Sequence, residues 1–175
     1  SSAASDVYKR QVVEGVLMKY KYGNTLCVST QAGCRMGCAF CASTLNGLER
    51  SLSAGEIYGE VVAVNRLKEG GLGEGRAVTN VVLMGSGEPL DNYDNVIGFL
   101  RLLNSPDGLN VSYRNISLST CGLVPQIIRL ADEGIAVNLT VSLHSPFQHK
   151  RIKLMPVSKK YPLLSVVEAA KYYFE

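Results

Sequence analysis

Three cysteines fall within eight positions of the segment GCRMGCAFCAST: Cys34, Cys38 and Cys41. The spacing is C-x3-C-x2-C, and the chain has only two other cysteines, Cys27 and Cys121. Free cysteines rarely crowd this densely without a metal to hold. A structural zinc site takes four protein ligands, commonly as two C-x2-C pairs. Neither Cys27 nor Cys121 supplies a second pair, although either could complete a tetrahedron. Three thiolates in one short loop can instead hold three irons of a four-iron, four-sulfur cubane and leave the fourth iron open. An open metal position points to catalysis rather than scaffolding.

Other residues able to do chemistry are scattered. Gly85-Ser86-Gly87-Glu88 follows an apolar run and reads either as a turn or as a loop bringing a carboxylate to a ligand. Ser119 ends a second apolar run, and Ser142, Leu143 and His144 end a third. Each hydroxyl could simply satisfy backbone at a strand end. Glu14 and Cys27 lie in alternating segments near the N-terminus, with no local partner to assign them a task. His149, Lys150, Arg151, Lys153, Lys159 and Lys160 form a basic run that reads as a solvated surface or as a phosphate-contacting rim.

The elements that must position these groups follow a repeating pattern. Residues 12–30 read as strand, a turn at Gly23-Asn24, and strand. Ser53 and Glu56 stand at capping-box spacing before Ile57, Val61 and Val64, which predicts a helix ending in the glycines at 70–71. Apolar strands then alternate with helices: NVVLMGSG, the helix NVIGFLRLLN, the strand RNISLSTCG, the helix VPQIIRLADEG opened by Pro125, and the strand AVNLTVSLHS. A basic loop and a last helix from about Leu163 close the chain. Such units imply parallel strands with right-handed crossovers. In residues 136–145, Val137, Leu139, Val141 and Leu143 share one face, with Asn138, Thr140, Ser142 and His144 on the other. A strand covered by helices on both faces would be apolar on both. The alternation therefore predicts a partly open barrel with a wet interior and functional groups at the C-terminal strand ends.

The chain has 175 residues, 46% of them hydrophobic and 19% charged, which suits one folded domain. A net charge of +3 permits nucleic-acid contact without demanding it. No segment is long and apolar enough for a membrane span, and no signal-peptide core is visible, so the expectation is a reducing, cytoplasmic setting without membrane contact. Residues 1–11 lack periodicity and read as a non-native leader. Residues 12–175 form the core domain, and the helical pattern running to Glu175 without a cap suggests a fragment.

The three-cysteine motif with an aromatic residue, Phe40, before its last cysteine resembles that of the radical S-adenosylmethionine (SAM) enzymes. Four blocks narrow the resemblance: LCVSTQAGCRMGCAFCAST, NVVLMGSGEPLDN, ISLSTCGLVP and VSLHSP occur in the order and spacing of the RlmN/Cfr family of RNA adenine methyltransferases. Pro89 in GEPL looks more like the C2-methylating RlmN branch than the C8-methylating one. The resemblance implies an α/β fold, a partial parallel (βα) barrel of the radical SAM type preceded by a β-hairpin and truncated at the C-terminus. It implies that the N-terminal RNA-binding part and the C-terminal barrel segment are absent. It implies a 4Fe-4S cluster on Cys34, Cys38 and Cys41, shielded by Phe40, with SAM filling the open iron. SAM would be contacted by Gly87 and Glu88 at its amino group, and by Ser119, Ser142, Leu143 and His144. Ser86 stands where most relatives look to have methionine. Cys121 occupies a position usually filled by serine and is expected to be a small buried residue.

By the same resemblance, Glu14 is the proton acceptor and Cys27 the resolving thiol. In the family's chemistry one SAM methylates a protein cysteine, and a second gives the 5′-deoxyadenosyl radical that activates that methyl group for addition to adenine C2. Cys27 then releases the product by forming a disulfide with the methyl-carrying cysteine, which no residue of this chain matches. The implied partners are 23S rRNA, tRNA and an electron donor such as flavodoxin or ferredoxin, with the protein acting as a monomer. A C8-specific enzyme, another radical SAM enzyme, and an electron-transfer or metal-binding module are the competing readings.

Overall fold

The computed structural model describes the backbone of residues 2–8 and 11–175, and side chains from Glu14 onward. Eight strands and five α-helices are present among these residues. A six-stranded sheet has the order β1-β2-β3-β6-β7-β8. Its first three strands, β1 (Ser2–Tyr8), β2 (Gln11–Tyr20) and β3 (Gly23–Cys27), are antiparallel. Its last four are parallel: β3, β6 (Asn80–Leu83), β7 (Ile116–Thr120) and β8 (Asn138–Val141). Between these strands run α1 (Ala54–Leu67), α2 (Tyr93–Asn104) and α3 (Val124–Asp132). After β8 come α4 (Gln148–Leu154) and α5 (Leu163–Phe174).

The expected hairpin is the inner pair of the three antiparallel strands. Its turn lies at Lys21-Tyr22, because Tyr20 pairs with Gly23, and not at Gly23-Asn24 as the sequence reading placed it. Gly23 serves a different contact. At φ 142° a Cβ there would fall 2.1 Å from the Thr79 hydroxyl, so the missing side chain lets the start of β3 approach the segment leading into β6. The backbone of Ser2–Tyr8, in the segment read as a leader, runs antiparallel beside β2.

The two faces of the sheet have opposite character. Leu26, Val81, Leu83, Ile116, Leu118 and Leu139 are buried on one face and form a single core with Ile57, Val61 and Val64 of α1, Val96, Leu100 and Leu103 of α2, and Ile127 and Leu130 of α3. Each such side chain contributes roughly 1.5–3 kcal/mol when fully buried. On the other face the register aligns Val16, Cys27, Val82, Ser117 and Asn138 in one row across five strands. Ser119 pairs with Thr140 in the next row. These residues are half-buried or exposed. The alternation expected of the last strand is therefore a property of the whole parallel sheet: helices cover one face and the polar face is open, as in part of a (βα) barrel.

The alternation stops earlier than the sequence implied. β8 ends at Val141, and His144 takes a left-handed backbone conformation at φ 56°. The expected loop after β8 contains the short helix α4. The capping box is complete, with the Ser53 hydroxyl accepting from Glu56 N–H at 3.2 Å and the Glu56 carboxylate from Ser53 N–H at 2.8 Å. The Arg50 guanidinium and the Ser53 N–H together hold the Glu56 carboxyl down at about 2.

Candidate active site

The C-terminal edge of the parallel sheet gathers most of the predicted groups. A small two-stranded sheet, β4 (Gln31–Gly33) with β5 (Leu48–Ser51), forms the base of the cysteine loop. Cys34 N–H donates to the Gly47 carbonyl at 3.0 Å and closes it. Within the loop, Cys41 N–H donates to Cys38 O at 3.1 Å, and the Thr44 hydroxyl donates to Cys41 O at 3.0 Å. From outside, Ala39 N–H donates to Leu154 O at 2.8 Å, tying the loop to the end of α4.

Cys34 and Cys38 are buried and Cys41 half-buried, all as free thiols. Burial, then the neighbouring Cys34 and Cys41 thiols and Glu88, push the Cys38 thiol up to about 11. Cys34 is raised by burial, with Glu88, Cys41 and Asp91 adding to it. The three sulfurs thus sit in one another's electrostatic field, a repulsion that a bound cationic metal centre would relieve. Among the described residues no three His, Cys, Asp or Glu side chains converge on one ion. A cubane takes its thiolates at separate irons rather than at one point, so three neighbouring sulfurs on one loop suit it.

Gly87 and Glu88 follow β6. At φ 101° a Cβ on Gly87 would fall 2.6 Å from Gln31 Cβ and 2.8 Å from Gln31 N, so only glycine allows this loop to lie against β4. Glu88 is buried. Its carboxylate accepts from Cys121 N–H at 2.8 Å and Leu90 N–H at 3.1 Å, with the Thr120 hydroxyl and Cys121 thiol also in contact. Burial raises its pKa although these donors oppose the shift. Glu88 therefore joins the ends of β6 and β7, within electrostatic reach of Cys34 and Cys38.

Ser119 is half-buried on the open face, and Ser142 continues that face two residues beyond Thr140, its N–H donating to Thr120 O at 2.9 Å. Leu143 is exposed, and the His144 ring meets Phe40 with centroids 4.0 Å apart. Phe40, the expected shield, is 52% exposed and packs on this histidine, linking the residue before Cys41 to the β8 exit. Glu14 and Cys27 share the open face: Cys27 lies opposite Val16, and Glu14 is two residues from Val16 along β2. Burial raises the Cys27 thiol, and Glu60 adds to it. The expectation for Cys121 is met, since it is buried.

Sequence reasoning assigned nothing to the residues that fasten this edge together. Gln31 is 1% exposed; its amide oxygen accepts from Glu88 N–H at 2.9 Å, and its nitrogen donates to Asp91 at 3.1 Å and Ser51 at 3.2 Å. Asp91 also accepts from Arg35 Nε at 2.9 Å, inside the cysteine loop. Both residues lie within the quoted blocks, but their pairing spans 60 positions. Arg151, read as part of the basic run, is fully buried; His149, Lys150, Lys153, Lys159 and Lys160 are exposed. A cavity of about 420 Å³ lies between the cysteine loop and the β6 exit, bordered by Gly33, Ser43, Asn46, Glu49 and Ser86, and no predicted site side chain lines it.

The chain is similar to known proteins. The protein "Probable dual-specificity RNA methyltransferase RlmN" of Lachnoclostridium phytofermentans is 53% identical over 164 residues, covering 94% of this chain and 44% of that protein. Its namesake from Clostridium perfringens is 54% identical over 164 residues, covering 94% of this chain and 46% of that one. The crystal structure of a radical SAM methyltransferase from Sphaerobacter thermophilus superposes with a TM-score of 0.86 at 44% identity, covering 93% of this chain and 47% of that one. The chain spans just under half the length of these relatives. The family model of the radical SAM superfamily matches residues 28–175, from just after the first parallel strand, through the cysteine loop, to the last helix. With that match over most of its length, the chain belongs to the radical SAM superfamily.

Proposed function

We propose that this chain is the cofactor-binding part of an RlmN-type methyltransferase acting on C2 of adenine in 23S rRNA and tRNA. The observation that carries this reading is the three-cysteine loop at the C-terminal edge of a half-open parallel sheet, in a chain about half identical to RNA methyltransferases named RlmN. Superfamily membership implies a 4Fe-4S cluster and SAM, which when bound supply the radical that a non-nucleophilic carbon requires.

Cys34, Cys38 and Cys41 hold the cluster. The buried negative charge of Glu88, in the loop that Gly87 allows, favours an ammonium group nearby. Because the Glu88 oxygens already accept two backbone amides, its contribution is to the field and to the loop's shape as much as to direct contact. Ser119, Ser142, Leu143 and His144 border the same edge and orient the cofactor. Glu14, on the open face, takes the proton from adenine C2. Cys27, on that face, resolves the product by attacking the sulfur of the methyl-carrying cysteine as a thiolate, so that an S–S bond forms as the S–C bond breaks and the released carbon takes up a proton. Its raised pKa keeps it a thiol until a base removes the proton. The exposed lysines at 150, 153, 159 and 160 contact RNA phosphate at the rim, which predicts strongly salt-dependent binding.

The test uses the full-length protein, reconstituted anaerobically and supplied with SAM, a one-electron donor and unmodified RNA. Nucleoside analysis should return 2-methyladenosine. The appearance of 8-methyladenosine, or of unmodified RNA from a cluster-loaded enzyme, rejects the assignment.

A further inference from the structure

Arg151 is the one buried cation among the described residues, at 0% exposure. Its Nε donates to Leu143 O at 3.2 Å and its Nη1 to Gln148 Oε1 at 3.4 Å, while its buried Nη2 has no partner. No carboxylate among the described residues forms an ion pair with it. A guanidinium stays charged in any protein setting, so burial cannot remove the problem by neutralising it. An unpaired buried charge is expensive, and an anion nearby is the usual compensation.

The surroundings of Arg151 lead to the cysteine loop. Arg151 and Cys121 lie in each other's electrostatic field, and Cys121 lies in turn in that of Cys38 and Cys34. The helix carrying Arg151 accepts, through Leu154 O, the hydrogen bond from Ala39 in the middle of the cysteine loop. The carbonyl held by Arg151 Nε belongs to the residue before His144, whose ring packs on Phe40 beside Cys41. The cation is thus buried on the helix that holds the middle of the cysteine loop, with its free nitrogen shut off from solvent.

We propose that Arg151 is a built-in counter-charge that tunes the reduction potential of the cluster on Cys34, Cys38 and Cys41. The inference rests on the cluster reading above. A three-thiolate cubane is anionic and becomes more so by one charge when it accepts an electron from an external one-electron donor. No bond is formed or broken in that step. A fixed buried cation stabilises the reduced form more than the oxidised form and so raises the potential. At an effective dielectric constant of about 20, a tenfold shift of a one-electron equilibrium requires a unit charge within about 12 Å of the cluster.

The experiment is an EPR-monitored redox titration of the anaerobically reconstituted protein, comparing Arg151→Gln and Arg151→Lys with the parent. Arg151→Gln removes the charge and keeps donors. It should lower the potential by about 59 mV, a tenfold smaller reduced-to-oxidised ratio at fixed poise. Arg151→Lys keeps the charge and should stay near the parent. If Arg151→Gln fails to hold a cluster, Gln148→Glu decides, because it neutralises Arg151 in place and should lower the potential in the same direction. An unchanged potential in a charge-removing variant with an intact cluster overturns this inference alone. Equal shifts in the Lys and Gln variants overturn it as well, since the clamp on Leu143 would then carry the effect. A parent protein with no four-iron signal overturns both this inference and the cluster reading.

Discussion

Replacing Gln31 with methionine tests whether one buried amide holds the cysteine loop to the edge of the sheet. The variant keeps the size and the stem and removes three hydrogen bonds, to Glu88 N–H, Asp91 and Ser51. At about 1 kcal/mol net for each, with the Glu88 N–H left buried and unpaired, the loss should be roughly 2–4 kcal/mol. For a chain of this size that corresponds to roughly 4–16 °C in melting temperature. Ser51→Ala removes only one of the three bonds, leaves Gln31 its contacts with Asp91 and Glu88, and should cost less than about 1 kcal/mol. Urea unfolding of the apo chain gives both values. A double-mutant cycle with Asp91→Asn should be non-additive, because the two side chains share a bond. If Gln31→Met costs no more than Ser51→Ala, or the cycle is additive, the network does not fasten the loop and the reasoning fails.

Gly87→Ala should destabilise by about 2–4 kcal/mol, combining a strained φ with a Cβ driven into Gln31, and thermal melting of the apo chain measures it. The Glu56 carboxyl titrates near 2 when folded, below its unfolded value of about 4.3. Its contribution is therefore complete above about pH 5 and is lost as pH falls toward 2. With partial exposure limiting the effect to about 1 kcal/mol, Glu56→Gln should flatten this part of the stability–pH curve, as urea midpoints across that range would show. Serine at position 34, 38 or 41 should abolish most bound iron and acid-labile sulfide after reconstitution, whereas Cys121→Ser should leave both near the parent level. Iron analysis separates the outcomes, and a large iron loss from Cys121→Ser would make Cys121 a ligand.

The local features of the site were readable because they repeat within a few residues. Cysteine spacing, the capping box at Ser53 and Glu56, and the alternation from Val137 to Val141 each reflect contacts within one element. Other features were hidden because their cause lies far along the chain. The hairpin turn was misplaced since Gly23 is needed for Thr79, 56 positions away, and not for the turn itself. The end of β8 was missed because His144 leaves the strand to pack on Phe40, which alternation cannot foresee. Arg151 belonged by composition to an exposed run until α4 turned it inward.

From its residues alone, the chain established a thiol-rich loop, repeated strand–helix units and one polar strand face, since spacing and periodicity are properties of neighbouring positions. Tertiary structure decided which side chains hold that loop in place, and that Arg151 is buried with no carboxylate partner among the described residues. Burial and pairing depend on elements meeting across the fold, and the one-dimensional pattern carries no record of those meetings.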